Sequence, residues 1–141
     1  MIRLVLDTNV IVSAALSPKG RGAFILELAS RQLVQLFVSE KTMAEYIDVV
    51  RRVKVGIEVR AALRVIQNVH HLAAVVSPTR KVKACSDPYD DIFLECAEAS
   101  KAHYLVTENV RDFPKTWKYT RVVRPGQFLK VWDSQKPLGL S

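Results

Sequence analysis

The sequence predicts a three-layer α/β/α sandwich built on a five-stranded parallel sheet, and three observations carry that prediction. Short apolar runs that stop at polar residues recur at residues 2–6, 34–38, 72–76, 103–106 and 121–123, the pattern of strands covered on both faces. Segments with helical periodicity alternate with them, and right-handed crossovers between parallel strands place the helices on both faces of the sheet. The 141 residues, 49% hydrophobic and 25% charged, suit one soluble globular domain. A chain of this length buries about 70% of its unfolded surface, so a second domain is not required.

The first strand, Ile2 to Leu6, is apolar except for Arg3 and ends at Asp7-Thr8-Asn9. In isolation Asp7 reads most simply as the cap of a helix over 10–16, which the turn-forming Ser17-Pro18-Lys19-Gly20 closes. A second helix over 22–31 carries Phe24, Leu28 and Ala29 at helical steps, and the second strand covers 34–38. Ser39 caps a long helix to about residue 52, whose Met43, Ile47 and Val50 share a face. Glu45 falls at the border of that face, one step from Val49, where it can look into a crevice. An amphipathic helix over 57–69, a third strand over 72–76 and a basic connector over 77–83 follow. Asp87-Pro88 supplies a cap and a first-turn proline for a helix over 88–101. The fourth strand at 103–106 leads into a polar loop over 107–114. After the fifth strand a closing helix covers 125–132. The predicted domain is 1–133, with 134–141 a poorly ordered tail.

Net charge and cysteine content narrow the function. A formal net charge of +7 favours a polyanionic partner, and the bases spread along the chain while several acids recur at element ends. No apolar run reaches the ~18 residues of a membrane span, and the opening run is too short and too soon acidic for a signal peptide, so a cytoplasmic protein is expected. Cys85 and Cys96 have no paired-ligand spacing and read as reduced thiols. His70-His71 lacks a zinc-site neighbour, and there is no Walker loop, nucleophile elbow or zincin helix.

Four acids form the candidate site. Asp7 ends the first strand and Asp112 follows the fourth, so both face the crevice beyond the carboxyl edge of the sheet. Glu45 and Asp91 lie on helices that begin at the same edge. Clustered carboxylates are costly without a cation, and hard oxygen donors suit Mg²⁺ or Mn²⁺. Such a cluster beside basic residues fits metal-assisted cleavage of a phosphodiester. The expectation is that Asp7, Glu45 and Asp91 share one coordination sphere. Spacing leaves open which of Asp87, Asp90 and Asp91 turns inward; Asp91 is preferred because it falls in the second turn beside Ile92, whereas Asp90 occupies the capping-box position.

Four pieces, in this order, resemble the PIN-domain ribonuclease family and, within it, the toxins of VapC-like toxin–antitoxin pairs. They are Val5-Leu6-Asp7-Thr8-Asn9-Val10, Ala44-Glu45-Tyr46, Asp87-Pro88-Tyr89-Asp90-Asp91-Ile92-Phe93-Leu94, and Tyr104-Leu105-Val106-Thr107-Glu108-Asn109 with Asp112-Phe113-Pro114. The resemblance implies a five-stranded parallel sheet, Mg²⁺- or Mn²⁺-dependent endoribonuclease activity, a homodimer, and inhibition by a small cognate antitoxin. It casts Asp7, Glu45, Asp91 and Asp112 as catalytic metal ligands, with Thr8, Asn9, Thr107 and Asn109 orienting carboxylates and waters. Glu108 departs from the glycine of many relatives, and Asp112 from the histidine of some. Lys19, Arg21, Arg80, Lys81, Lys83 and Lys115 are candidates for contacts to the RNA backbone. Two rival readings are a catalytically inactive RNA-binding or assembly module of the same fold, and a haloacid-dehalogenase-like phosphatase. The latter requires a second aspartate where Asn9 stands.

Overall fold

The computed structural model describes residues 1–53 and 59–135. In chain order its elements are β1 (Ile2–Leu6), α1 (Thr8–Leu16), α2 (Arg21–Ser30), β2 (Val34–Val38), α3 (Glu40–Val53), α4 (Val59–Leu72), β3 (Ala74–Val75), α5 (Pro88–Ser100), β4 (Tyr104–Val106), β5 (Thr116–Trp117), β6 (Thr120–Val123) and α6 (Pro125–Gln135). A single 3₁₀ turn covers Val110–Asp112. Residues 57 and 58, predicted to open the fourth helix, and 136–141 of the predicted tail lie outside the described residues.

The three-layer α/β architecture is as the sequence predicts, with one correction to the sheet. Its strand order is β3-β2-β1-β4-β6-β5, which makes six strands among the described residues where five were expected. The added strand, β5, pairs antiparallel with β6 through Trp117 and Thr120, while the other pairings are parallel. It was hidden because it is two residues long and turns back through Lys118, whose φ of 54° lies in a region that glycine or asparagine would have flagged.

β1 occupies the centre of the sheet, and Leu4, Val5 and Leu6 on both its faces are almost wholly buried. The chain winds outward from β1 to β2 and β3 on one side, then returns to β4 and β6 on the other. The order therefore reverses between β1 and β4, where a crevice opens beyond the carboxyl ends of the strands. Arg3, the one charged residue of β1, donates through Nε and Nη2 to the carbonyl of Lys101, which closes α5 in the left-handed conformation at φ 52°.

Three local devices fix the helices around that crevice. At α3, Ser39 and Thr42 exchange backbone-to-hydroxyl hydrogen bonds of 2.9 and 3.1 Å, a reciprocal cap. Asp87 caps α5 by accepting from the backbone N–H of Tyr89 at 2.9 Å, with Pro88 in the first turn. Gly22 lets α2 cross close over α1, since a Cβ there would lie 2.8 Å from the carbonyl oxygen of Val10.

Candidate active site

Asp7 both caps α1 and anchors the site. Its Oδ1 accepts from the backbone N–H of Thr8 at 2.7 Å. Its Oδ2 accepts from the Thr107 hydroxyl at 2.7 Å and from the Asn9 amide at 3.3 Å. Asn9 also donates to Thr107 Oγ1 and accepts from the backbone N–H of Glu108, tying the end of β1 to the loop after β4. The Asn109 backbone N–H donates to Thr107 Oγ1 at 3.0 Å. All four polar residues singled out in the sequence thus stand around Asp7. The buried Thr8 hydroxyl has no hydrogen-bond partner among the described residues.

Tyr46 positions the second acid. Its fully buried ring packs against Phe93, and its hydroxyl donates to the carbonyl of Leu6, the last residue of β1. This clamps α3 to the tip of the central strand, and the neighbouring Glu45 lands in the crevice. The sequence offered Ala44-Glu45-Tyr46 as a motif without disclosing this hydrogen bond, which depends on contact between residues forty positions apart.

The inward acid of α5 is Asp90, and here the expectation for Asp91 is corrected. A crevice of about 880 Å³ is lined by Asp7, Asn9, Glu45, Asp87, Asp90, Asn109 and Asp112, together with Asp48 and Arg52; Asp91 is not part of it. Instead, Asp91 turns toward the connector before α5, where its Oδ1 accepts from the backbone N–H groups of Ala84 and Cys85 at 2.9 and 2.8 Å. The reason is helical phase. Asp91, Glu95 and Glu98 follow one another on one face of α5, and all three hold the connector: Glu95 accepts from the Val82 N–H, and Glu98 pairs with Arg80. Asp90, one residue back, lines the crevice with Asp7 and Phe93.

The acids of the crevice act on one another. Burial pushes the Asp90 carboxyl up to about 7, assisted by the charges of Asp7, Asp87 and Asp112. Asp7 is also raised, mainly by burial and further by Asp112, although its hydrogen bonds from Thr107, Thr8 and Asn9 oppose the shift. Burial raises Glu45, with Asp48 adding and Arg52 subtracting. Crowded carboxylates relieved by little positive charge are what a hard cation would stabilise, and the donor set is oxygen throughout. Among the described residues, no three acids, histidines or cysteines converge tightly enough to form a direct ligand sphere as they stand. The expected shared sphere of Asp7, Glu45 and Asp91 is therefore not present. The residues fit an ion such as Mg²⁺, which keeps several waters and takes only one or two carboxylates directly.

The six candidate RNA contacts do not form one patch. Lys19 is exposed in the turn between α1 and α2, Arg21 lies beside α6 with Phe24 and Trp132, and Lys115 lines another cavity below β6. Arg80 is paired with Glu98 and stacked 6.0 Å from the Trp117 ring, whose indole N–H also donates to Glu98. Lys81 and Lys83 line a cavity that adjoins the crevice. The basic residue inside the crevice is Arg52, which the sequence reading did not select; it pairs with Asp48 at 3.4 Å.

Comparison with known proteins bears on the family and the fold. The family model described as PIN domain matches residues 3–111. An uncharacterized protein of Methanocaldococcus jannaschii, MJ1680, is 25% identical over 94% of this chain and 92% of its own length. Among solved structures, VapBC from Salmonella typhimurium, bound to DNA, matches with a TM-score of 0.61 at 17% identity, covering 89% of this chain and 99% of that chain. VapBC2 from Rickettsia felis, bound to a DNA fragment from their promoter, matches with a TM-score of 0.59 at 17% identity, covering 86% of this chain and 97% of that one. At such identities these structures establish likeness of fold.

Proposed function

The chain belongs to the PIN domain family, and on that premise we propose that it is a metal-dependent endoribonuclease, the toxin of a toxin–antitoxin pair. The observation that carries this reading is the set of acids from β1, α3, α5 and the loop after β4 that faces one crevice at the switch point of the sheet. Asp7, Glu45, Asp90 and Asp112 would hold Mg²⁺ or Mn²⁺, directly or through water. A bound ion would acidify water and neutralise charge developing on the phosphate.

The chain's own groups do the rest. Thr8, Thr107 and Asn9 fix both oxygens of Asp7, so that carboxylate enters the reaction already oriented. Arg52 supplies a positive group at the crevice wall for the anionic substrate. The water oxygen adds to phosphorus as the P–O3′ bond breaks, leaving 5′-phosphate and 3′-hydroxyl ends. Asp91 takes no part beyond holding the connector. By the fold likeness to VapBC, the inhibitory partner is a small antitoxin encoded beside the chain, and the active form is a homodimer in the cytoplasm. Among the described residues no helix is long and apolar enough to cross a membrane.

The test is cleavage of a mixed RNA with Mn²⁺ or Mg²⁺ by the unmodified chain and by Asp7→Asn. Loss of cleavage in the variant supports the proposal. Equal activity of the two rejects it, because cleavage then does not arise from this crevice, and no cleavage by either rejects it in favour of an inactive RNA-binding module.

A further inference from the structure

A second cavity, of about 810 Å³, lies between α3, the connector over 80–86 and the first turns of α5. It shares Glu45, Asp48 and Tyr89 with the acidic crevice, so the two form adjoining parts of one groove around the start of α5. Its character differs from that of the crevice. Ala44, Val82, Pro88 and Ile92 give it apolar walls, and Lys41, Lys81 and Lys83 bring positive charge. Asp91 and Glu95 also line it, but both are buried and engaged: Asp91 by two connector N–H groups, Glu95 by Val82 N–H and by Lys41 at 3.9 Å. Lys81 and Lys83 remain exposed. At the junction stands Tyr89, which is 67% exposed and whose backbone N–H is held by the Asp87 cap.

We propose that this cavity receives the nucleotide next to the scissile phosphate of single-stranded RNA, with Tyr89 stacking on its base and Lys81 and Lys83 meeting the adjacent phosphates. The inference rests on the nuclease reading of the crevice and adds to it a pocket for one nucleotide, with Tyr89 as its stacking platform. An exposed ring between an acidic crevice and a lysine-rimmed apolar cavity suits an unstacked base with its charged backbone; a duplex keeps its bases paired and out of reach. The groove's continuity with the crevice places that nucleotide beside the bond to be cut.

The experiment measures binding of a fluorescently labelled eight-nucleotide single-stranded RNA in Ca²⁺, and separately the kcat and KM of its cleavage in Mn²⁺. Tyr89→Ala is expected to weaken binding and raise KM about tenfold with kcat little changed, while Tyr89→Phe stays within about twofold of the unmodified chain. Lys81→Ala with Lys83→Ala is expected to weaken binding and to flatten the slope of log affinity against log salt by about 1.4. An RNA carrying an abasic ribose at the stacked position should bind the unmodified chain and Tyr89→Ala alike. Thermal melts of the variants confirm that they fold. Unchanged affinity in Tyr89→Ala, or no RNA binding at all, overturns the proposal. If binding depends on Tyr89 but no RNA is cleaved, the base-stacking pocket stands as an RNA-binding site, and both its place beside a scissile bond and the nuclease reading fail. If RNA is cleaved with a KM indifferent to Tyr89, the nuclease stands and the subsite falls.

Discussion

Asp90 and Asp91 are adjacent in sequence yet separated by roughly 100° around α5, enough to give them different work. Asp90 shares the crevice with Asp7, whereas Asp91 accepts from the backbone N–H groups of Ala84 and Cys85. Asp91→Ala leaves those donors without their acceptor and should cost about 2 kcal/mol or more, seen as a melting temperature several degrees lower. Asp90→Asn should abolish divalent-dependent cleavage with no such loss of stability. If Asp91→Asn is inactive and Asp90→Asn is not, the assignment is reversed.

A second residue sets a pH dependence. The Arg3 backbone N–H donates to His103 Nδ1 at 2.8 Å, and partial desolvation of the ring, together with the charge of Arg3, holds this imidazole below its ordinary value of 6.5. The folded state therefore prefers neutral His103. Its contribution is complete above about pH 6.5 and is lost as the pH falls through that value toward the lower folded one. Melting curves between pH 7.5 and 5 should show a steeper loss in the unmodified chain than in His103→Asn, which keeps an acceptor but does not titrate.

At the scale of elements, the connector before α5 is held by a ladder of acids. Asp91, Glu95 and Glu98 take the Ala84 and Cys85 N–H groups, the Val82 N–H and the Arg80 guanidinium, and Glu98 reaches Trp117 of β5 as well. This arrangement accounts for the burial of Asp91 and Glu95 on an acidic helical face. The periodicity of the acids was visible in the sequence. Their partners were not, because the connector has no regular period of its own. The α1–α2 crossing makes a separate prediction: Gly22→Ala forces a methyl group to 2.8 Å from the Val10 carbonyl oxygen and 3.3 Å from the Ala14 nitrogen. Parting the helices should cost about 1–3 kcal/mol, measurable by denaturant titration.

The whole molecule combines a formal net charge of +7 with a local concentration of acids at the carboxyl edge of its sheet. A divalent ion bound there favours the folded chain alone, since the unfolded chain scatters those carboxylates. At a hundredfold excess over its dissociation constant, Mg²⁺ or Mn²⁺ should stabilise the fold by about 2.7 kcal/mol. The expected result is a rise in melting temperature that EDTA reverses and that Asp7→Asn abolishes. A rise of the same size in Asp7→Asn would place the ion elsewhere.

Read by itself, the sequence determined the layers of the fold and the strand-end position of Asp7, because burial on both faces and helical periodicity are written in local order. It also brought Thr8, Asn9, Thr107 and Asn109 to the right neighbourhood, since strand ends in a parallel sheet share an edge. Only the tertiary structure decided between Asp90 and Asp91, exposed Tyr46 as the clamp on Leu6, and dispersed the candidate RNA-contacting bases. Those outcomes depend on the rotation of a helix about its axis and on contacts across the fold, which packing against the rest of the molecule sets and local sequence does not encode.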